Sequence, residues 1–89
     1  MKHLVLYTME GCHFCKEFKT LLEKENIEYI DRDINKHNEE YELFRKAKND
    51  LVPGFLIVDD INQKDSELFG ADIDFPTLEE AVRIIKERI

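Results

Sequence analysis

Apolar residues in this chain fall either in unbroken runs or in stripes of helical spacing, and the two kinds alternate. Leu4-Val5-Leu6-Tyr7 is unbroken, lacks the period-two alternation of a half-buried strand, and predicts a strand covered on both faces. It breaks at Glu10-Gly11. From Cys12 the spacing turns helical: Phe14, Cys15, Phe18, Leu21 and Leu22 recur three or four apart, with Lys16, Glu17, Lys19, Glu23 and Lys24 opposite them. Ile27 to Ile34 is extended in character, with Ile27 and Tyr29 on one face and Glu28 on the other, and its charges predict an edge strand. Asn35 can cap a second helix over Lys36 to Lys48, with Tyr41, Phe44 and Ala47 as its stripe and Pro53 stopping it. Phe55-Leu56-Ile57-Val58 is another unbroken strand, Asp59-Asp60 and Asn62 carry turn chemistry, and a short strand fits Glu67 to Phe69. Thr77-Leu78-Glu79-Glu80 is a capping box opening a last helix, with Leu78, Ala81, Val82, Ile85 and Ile89 as its buried stripe. The order β-α-β-α-β-β-α, with two buried central strands between helices, predicts an α/β/α sandwich of three layers around a mixed four-stranded sheet.

Size and charge narrow the class. The 89 residues, 43% of them apolar, suit one domain spanning 1–89, and no repeat, low-complexity tract or Gly/Ser linker marks a boundary. Folding buries more than the ~60% of surface estimated for a shorter domain, so the core requires no disulfide framework or structural metal. Twenty Asp and Glu against 13 Lys and Arg leave a net charge of −7. Such a surface repels phosphate backbones and anionic headgroups, so neither nucleic acid nor a membrane is an expected partner. No basic segment leads into an apolar stretch of signal length, and the apolar runs are far too short to cross a bilayer; a cytoplasmic location is expected. In a reducing compartment a cysteine pair points to chemistry or metal binding before structure. Glu39-Glu40 and Glu79-Glu80 read as first-turn helix charges, and Tyr7 and Tyr41 as core.

The motif that carries chemistry is Gly11-Cys12-His13-Phe14-Cys15, a C-x-x-C between a strand and a helix. A sulfur at a helix N-terminus faces unpaired N–H groups and the positive end of the helix dipole, both of which favour thiolate. Thiols so placed have pKa values lowered from ~8.5 to roughly 3.5–7.5. Cys12, the terminal one, is the expected nucleophile. Cys15 lies three residues on, within disulfide reach, and shares the apolar stripe of Phe18 and Leu22. Burial there raises its pKa and suits it to be the resolving thiol in exchange through a mixed disulfide. Other readings of the pair exist. A structural disulfide closing so short a loop stabilises little. Half of a zinc site needs two further ligands, and His3, His13 and His37 are scattered. Two core cysteines without a role are the third reading. His13, between the sulfurs, is either a donor favouring the Cys12 thiolate or an exposed bystander; Phe14 is either a rim aromatic beneath a substrate chain or core.

The chain resembles the glutaredoxin family along nearly its whole length. The resemblance rests on Leu6-Tyr7-Thr8 leading into Gly11 to Cys15, on Val52-Pro53 before the Phe55 strand, and on Phe69-Gly70-Ala71-Asp72-Ile73-Asp74 before the last helix. It implies a thioredoxin fold, a cis peptide bond at Pro53 facing the cysteines, and a substrate strand pairing with the backbone of Val52. It also implies that Asp72, Ile73 and Asp74 hold the γ-glutamyl carboxylate of glutathione. The activity implied is thiol–disulfide exchange on protein or glutathione mixed disulfides by a monomer without bound cofactor or metal. Five positions depart from the family pattern: Met9 for a basic residue, His13-Phe14 for Pro-Tyr, Leu51 for threonine, and Ala71 for a second glycine. With Glu10 and Asp72 nearby, the pocket is poor in positive charge for a ligand with two carboxylates. Reduction by a flavoprotein reductase instead of glutathione therefore stays open. So does a carrier of a [2Fe–2S] cluster, ligated by Cys12 of two protomers and two external thiols.

Overall fold

The computed structural model describes residues 2–59 and 66–89. Its elements are β1 (Lys2–Thr8), α1 (His13–Lys24), β2 (Ile30–Asp33), α2 (Asn38–Ala47), β3 (Gly54–Asp59), β4 (Glu67–Phe69) and α3 (Leu78–Arg88). The strands form one sheet in the order β2-β1-β3-β4, with β2 parallel to β1 and the other pairs antiparallel. This is a thioredoxin fold, in the predicted element order.

β1 and β3 are the interior strands, which is why their sequences are unbroken apolar runs. On one face Leu4, Leu6, Phe55 and Ile57 pack against Phe18 and Leu22 of α1 and against Ala81, Val82 and Ile85 of α3. On the other, Tyr7 meets Tyr41 and Phe44 of α2, with Leu56 and Leu68 beside them. Burying one side chain such as Phe18 or Leu22 contributes about 1.5–3 kcal/mol. These contacts set where α1 begins relative to the end of β1. Gly54 opens β3 beneath the Phe44 ring; a Cβ there would lie 2.5 Å from a ring carbon, so only glycine lets α2 sit this close.

Several boundaries differ from the sequence reading. β2 is the predicted edge strand but starts only at Ile30; Ile27 and Tyr29 precede it, packed on the α1–α3 core. α2 begins at Asn38 with His37 as its N-cap, and Asn35 does not cap it. Asp33 explains the delay. Its side-chain oxygen accepts the Asn35 N–H at 2.8 Å, and its carbonyl accepts those of Lys36 and His37, so a local turn uses these residues first. Ala47 is exposed, and the helix ends there, well before Pro53. In α3 the Thr77 hydroxyl accepts the Glu80 N–H at 3.2 Å, but the Glu80 carboxylate turns to Arg83 instead of closing the capping box. Ile89 lies past that helix and is exposed, and Phe14 is exposed rather than part of the α1 stripe. Asp60 and Asn62 of the predicted turn lie outside the described residues.

All 3 tyrosines are held in the neutral form. Burial pushes Tyr41 up to about 12, helped by its hydrogen bond to Asp50 and that carboxylate's charge. Burial does the same for Tyr29, also to about 12, with the Glu23 carboxylate accepting from its phenol. Tyr7 is raised further, by burial and then by Glu40, against a smaller opposing pull from Arg32. A folded value above the unfolded ~10 means stability that is complete below pH ~10 and is lost as pH rises through the folded values. An alkaline absorbance titration of the folded protein is therefore expected to show no phenol ionising near pH ~10. Ionisation is expected from about 12 for Tyr29 and Tyr41, accompanied by loss of the fold.

Candidate functional site

β1 ends at Thr8, and the chain turns through Met9, Glu10 and Gly11 before α1 starts. Gly11 has φ +82°, a left-handed conformation that costs a residue with a side chain more than it costs glycine. The Cys12 N–H donates to the Met9 carbonyl at 3.2 Å and closes the turn. Cys12 is then the N-cap of α1, and its Sγ accepts the backbone N–H of Cys15 at 3.2 Å. Serine or aspartate commonly does this with oxygen; here sulfur does it. No acidic residue occupies the first turn of α1, so nothing in that turn opposes negative charge on the cap.

The two sulfurs are unequal. Cys12 is partly exposed, whereas Cys15 is 2% exposed in the layer that holds Phe18 and Leu22. They are joined as a disulfide, with their Cα atoms 5.2 Å apart. The His13 side chain is 85% exposed and lies 3.8 Å from Glu17, one turn along the helix. Its ring meets that of Phe14 edge to face, with centroids 5.8 Å apart, and Phe14 is itself 61% exposed.

Two depressions flank this end of α1. A groove of about 270 Å³ is lined by Phe14, by Leu51, Val52 and Pro53, and by Ala71, Asp72 and the Phe75–Leu78 segment. The Val52–Pro53 bond is cis, as the family resemblance implied. The β1–β3 ladder stops at the Tyr7–Gly54 pair, so the backbone of Val52 lies outside it. The second depression opens on Cys12 and Cys15 and is lined by Met9, Glu10, His13, Lys16 and Lys19.

The structure separates the three residues grouped at 72–74. Asp72 lines the groove with φ +66°, its N–H taken by the Phe75 carbonyl at 3.0 Å. Ile73 is 56% exposed and does not line the groove. Asp74 turns inward: it accepts the Gly70 N–H at 2.7 Å and pairs with Lys48 at 3.0 Å, and its own N–H bonds the Gly70 carbonyl. Asn49 donates to the Ala71 carbonyl at 2.7 Å and fastens the same loop. Asp74 thus shapes the loop. Among the described residues, no group of three or more His, Cys, Asp or Glu could hold a metal ion, and no helix is long and apolar enough to cross a membrane.

The sequence matches the glutaredoxin family model over residues 4–59, well over half of the chain. The chain belongs to the glutaredoxin family. A search of curated proteins gave no significant match. Family membership and the Cys12–Cys15 disulfide together point to a thiol–disulfide redox function. The sequence reading missed the Phe75–Leu78 wall of the groove, of which it placed only Thr77 and Leu78, as the start of the last helix, and the contact of Lys19 with the dithiol depression, since Lys19 reads as one of several charges on an outer face.

If Asp74 builds the glutaredoxin loop rather than contacting ligand, Asp74→Ala is expected to lower stability by about 1.5–3 kcal/mol, the range for a hydrogen bond to a charged group. Asp74→Asn, which keeps an acceptor for Gly70, is expected to lose less. Denaturant titration of both variants measures the difference.

Proposed function

We propose that this protein is a dithiol thiol–disulfide oxidoreductase that reduces disulfides of polypeptide substrates, with Cys12 as nucleophile and Cys15 as resolving thiol. The observation that carries this reading is the unequal pair at the head of α1: an accessible sulfur accepting a helix N–H, with a buried sulfur one turn behind it. In the reduced protein the Cys12 thiolate attacks one sulfur of a substrate disulfide. A Cys12–substrate bond forms, the substrate bond breaks, and the departing thiolate takes a proton. Cys15 then loses its proton and attacks Cys12 Sγ, which forms the internal disulfide and releases the second substrate thiol. Two electrons pass from the dithiol to the substrate.

The groove beside Pro53 supports a polypeptide substrate. Its walls are mostly apolar, Phe14 and Leu51 stand exposed at its rim, and the Val52 backbone is free of the ladder to pair with an extended segment. Asp72 is the charged residue lining it, so a segment carrying no carboxylate at that position suits it best. The internal disulfide is reset by glutathione, the reductant usual for the family, or by a flavoprotein reductase. A monomer in the cytoplasm, where the reducing poise keeps such dithiols reduced, fits this cycle.

Glutathione-coupled and reductase-coupled reduction of a protein disulfide tests the assignment. Cys12→Ser is expected to fall to background in both. Cys15→Ser is expected to attack once and then accumulate as a mixed disulfide, visible by mass, with turnover limited by added thiol. Full activity of Cys12→Ser in either assay would refute the assigned nucleophile, and the faster of the two donors identifies the physiological class of reductant.

A further inference from the structure

Lys19 is a charged group beside the dithiol that the exchange steps above leave unused. It stands four residues after Cys15 and seven after Cys12, on the helix face that carries both sulfurs. Helical side chains lean toward the N-terminus, so its ammonium is directed back toward the dithiol, and it lines the depression that opens on Cys12 and Cys15.

The ammonium is also held from behind. Lys19 Nζ donates to Asp31 Oδ2 at 2.5 Å, and the Thr8 hydroxyl donates to Asp31 Oδ1, also at 2.5 Å. Thr8, only 3% exposed, is the last residue of β1, and the loop to Cys12 starts immediately after it. Burial works to raise the Asp31 carboxyl, but the hydrogen bonds from Lys19 and Thr8, with the charge of Lys19, outweigh it and hold it below the usual range. Asp31 therefore stays ionised at neutral pH and keeps its grip. β1, β2 and α1 each contribute one residue to this chain of contacts, and a flexible lysine is restrained in one place.

We propose that Lys19, anchored by Asp31 and Thr8, is a positioning residue whose ammonium sets the ionisation of the Cys12 thiol. The proposal rests on Cys12 and Cys15 being the working dithiol. The charged groups at this depression are Glu10 from the loop, His13, Lys16 and Lys19 from α1, and Asp31 behind Lys19. The loop itself, Met9-Glu10-Gly11, supplies a carboxylate and no cation, so positive charge must come from the helix. Lys16 is exposed and has no ion-pair partner among the described residues, so its charge is spread over many rotamers in water. Lys19 is half-buried and pinned, and a fixed charge in a lower dielectric acts more strongly.

The test uses reduced full-length protein in a Cys15→Ser background, where Cys12 titrates alone. Thiolate absorbance is followed against pH, and iodoacetamide, a neutral reagent, reports reactivity. Lys19→Gln is expected to raise the Cys12 pKa by about half to one unit, in line with a single charge at this range partly offset by Asp31. At a pH a unit or more below both pKa values the thiolate fraction then falls about three- to tenfold. Greater nucleophilicity of the more basic thiolate offsets part of this, leaving alkylation about two- to fourfold slower. Above both pKa values the two rates should converge. Lys19→Arg should restore the wild-type curve, and Lys16→Gln should move it less than Lys19→Gln does. Lys19→Met, which keeps the aliphatic stem, is the second variant should Lys19→Gln fold poorly. Superimposable titrations of wild type and a folded Lys19→Gln or Lys19→Met protein would overturn the proposal. Such a result would leave the redox function intact, because that stands or falls with Cys12→Ser.

Discussion

The hydrogen bond from the Cys15 N–H to Cys12 Sγ is the contact around which the site is arranged. A helix leaves its first N–H groups without intrahelical partners, and a capping side chain must supply an acceptor. With sulfur as that acceptor, the local requirement for a cap and the chemical requirement for a stabilised thiolate are met by the same atom. The remaining architecture holds it there. β1 runs through the middle of the sheet and ends in a closed turn, and Phe18 and Leu22 fasten α1 to the core below. Displacing α1 along its axis would open cavities in that core, at about 2–5 kcal/mol for each large side chain left unsupported. The cap geometry is thereby as rigid as the core.

The two depressions on either side of this cap divide the work. Toward Pro53 the surface is apolar with a single carboxylate, suited to the body of a bound segment. Toward Lys16 and Lys19 it carries two ammonium groups beside the Glu10 carboxylate, and the ammonium groups suit the negative charge that the proposed exchange puts on sulfur. Phe14 and His13 mark the divide, one lining each side. A net charge of −7 would by itself disfavour thiolate and anionic partners, yet many acidic residues are tied to lysine or arginine elsewhere, as in the Arg83, Lys86 and Arg88 pairs. Part of the acidic excess is thus paired away from the dithiol, where Lys16 and Lys19 stand beside Glu10.

Features that depend on contiguous residues could be read from the chain. The buried runs of β1 and β3, the break at Gly11, the helical stripe starting at Cys12 and the strand at Glu67–Phe69 all stand where their patterns put them. Features set by competition or by distant partners could not. Asn35 is a good capping residue, but Asp33 two positions earlier captures its N–H and shifts the helix start. Phe14 has the right spacing for the core, yet it is 61% exposed while its neighbour Cys15 takes the buried place in the first turn of α1. The family resemblance groups Asp74 with Asp72 and Ile73, and the fold turns its carboxylate back onto Gly70 and Lys48. Lys19 has the ordinary look of a solvated helix charge because its partner Asp31 is on another element.

The electrostatics of the cap bear on both halves of the proposed exchange reaction. When Cys12 attacks, a thiolate that is well populated near neutral pH raises the rate. When the reductant's mixed disulfide with Cys12 is opened by a second thiol attacking its outer sulfur, Cys12 is the sulfur that leaves, and the same N–H group and ammonium receive its negative charge. Stabilising the Cys12 thiolate also stabilises the reduced protein against its disulfide, which makes the dithiol a weaker reductant as the cap and the cation become stronger. Asp31 limits that tendency. By accepting from Lys19 it holds the ammonium in place and also offsets part of its charge, so the field at Cys12 is steady without being large. A site meant to deliver electrons needs that balance: enough positive potential to ionise the attacking sulfur, and not so much that the reduced form is held back from reacting.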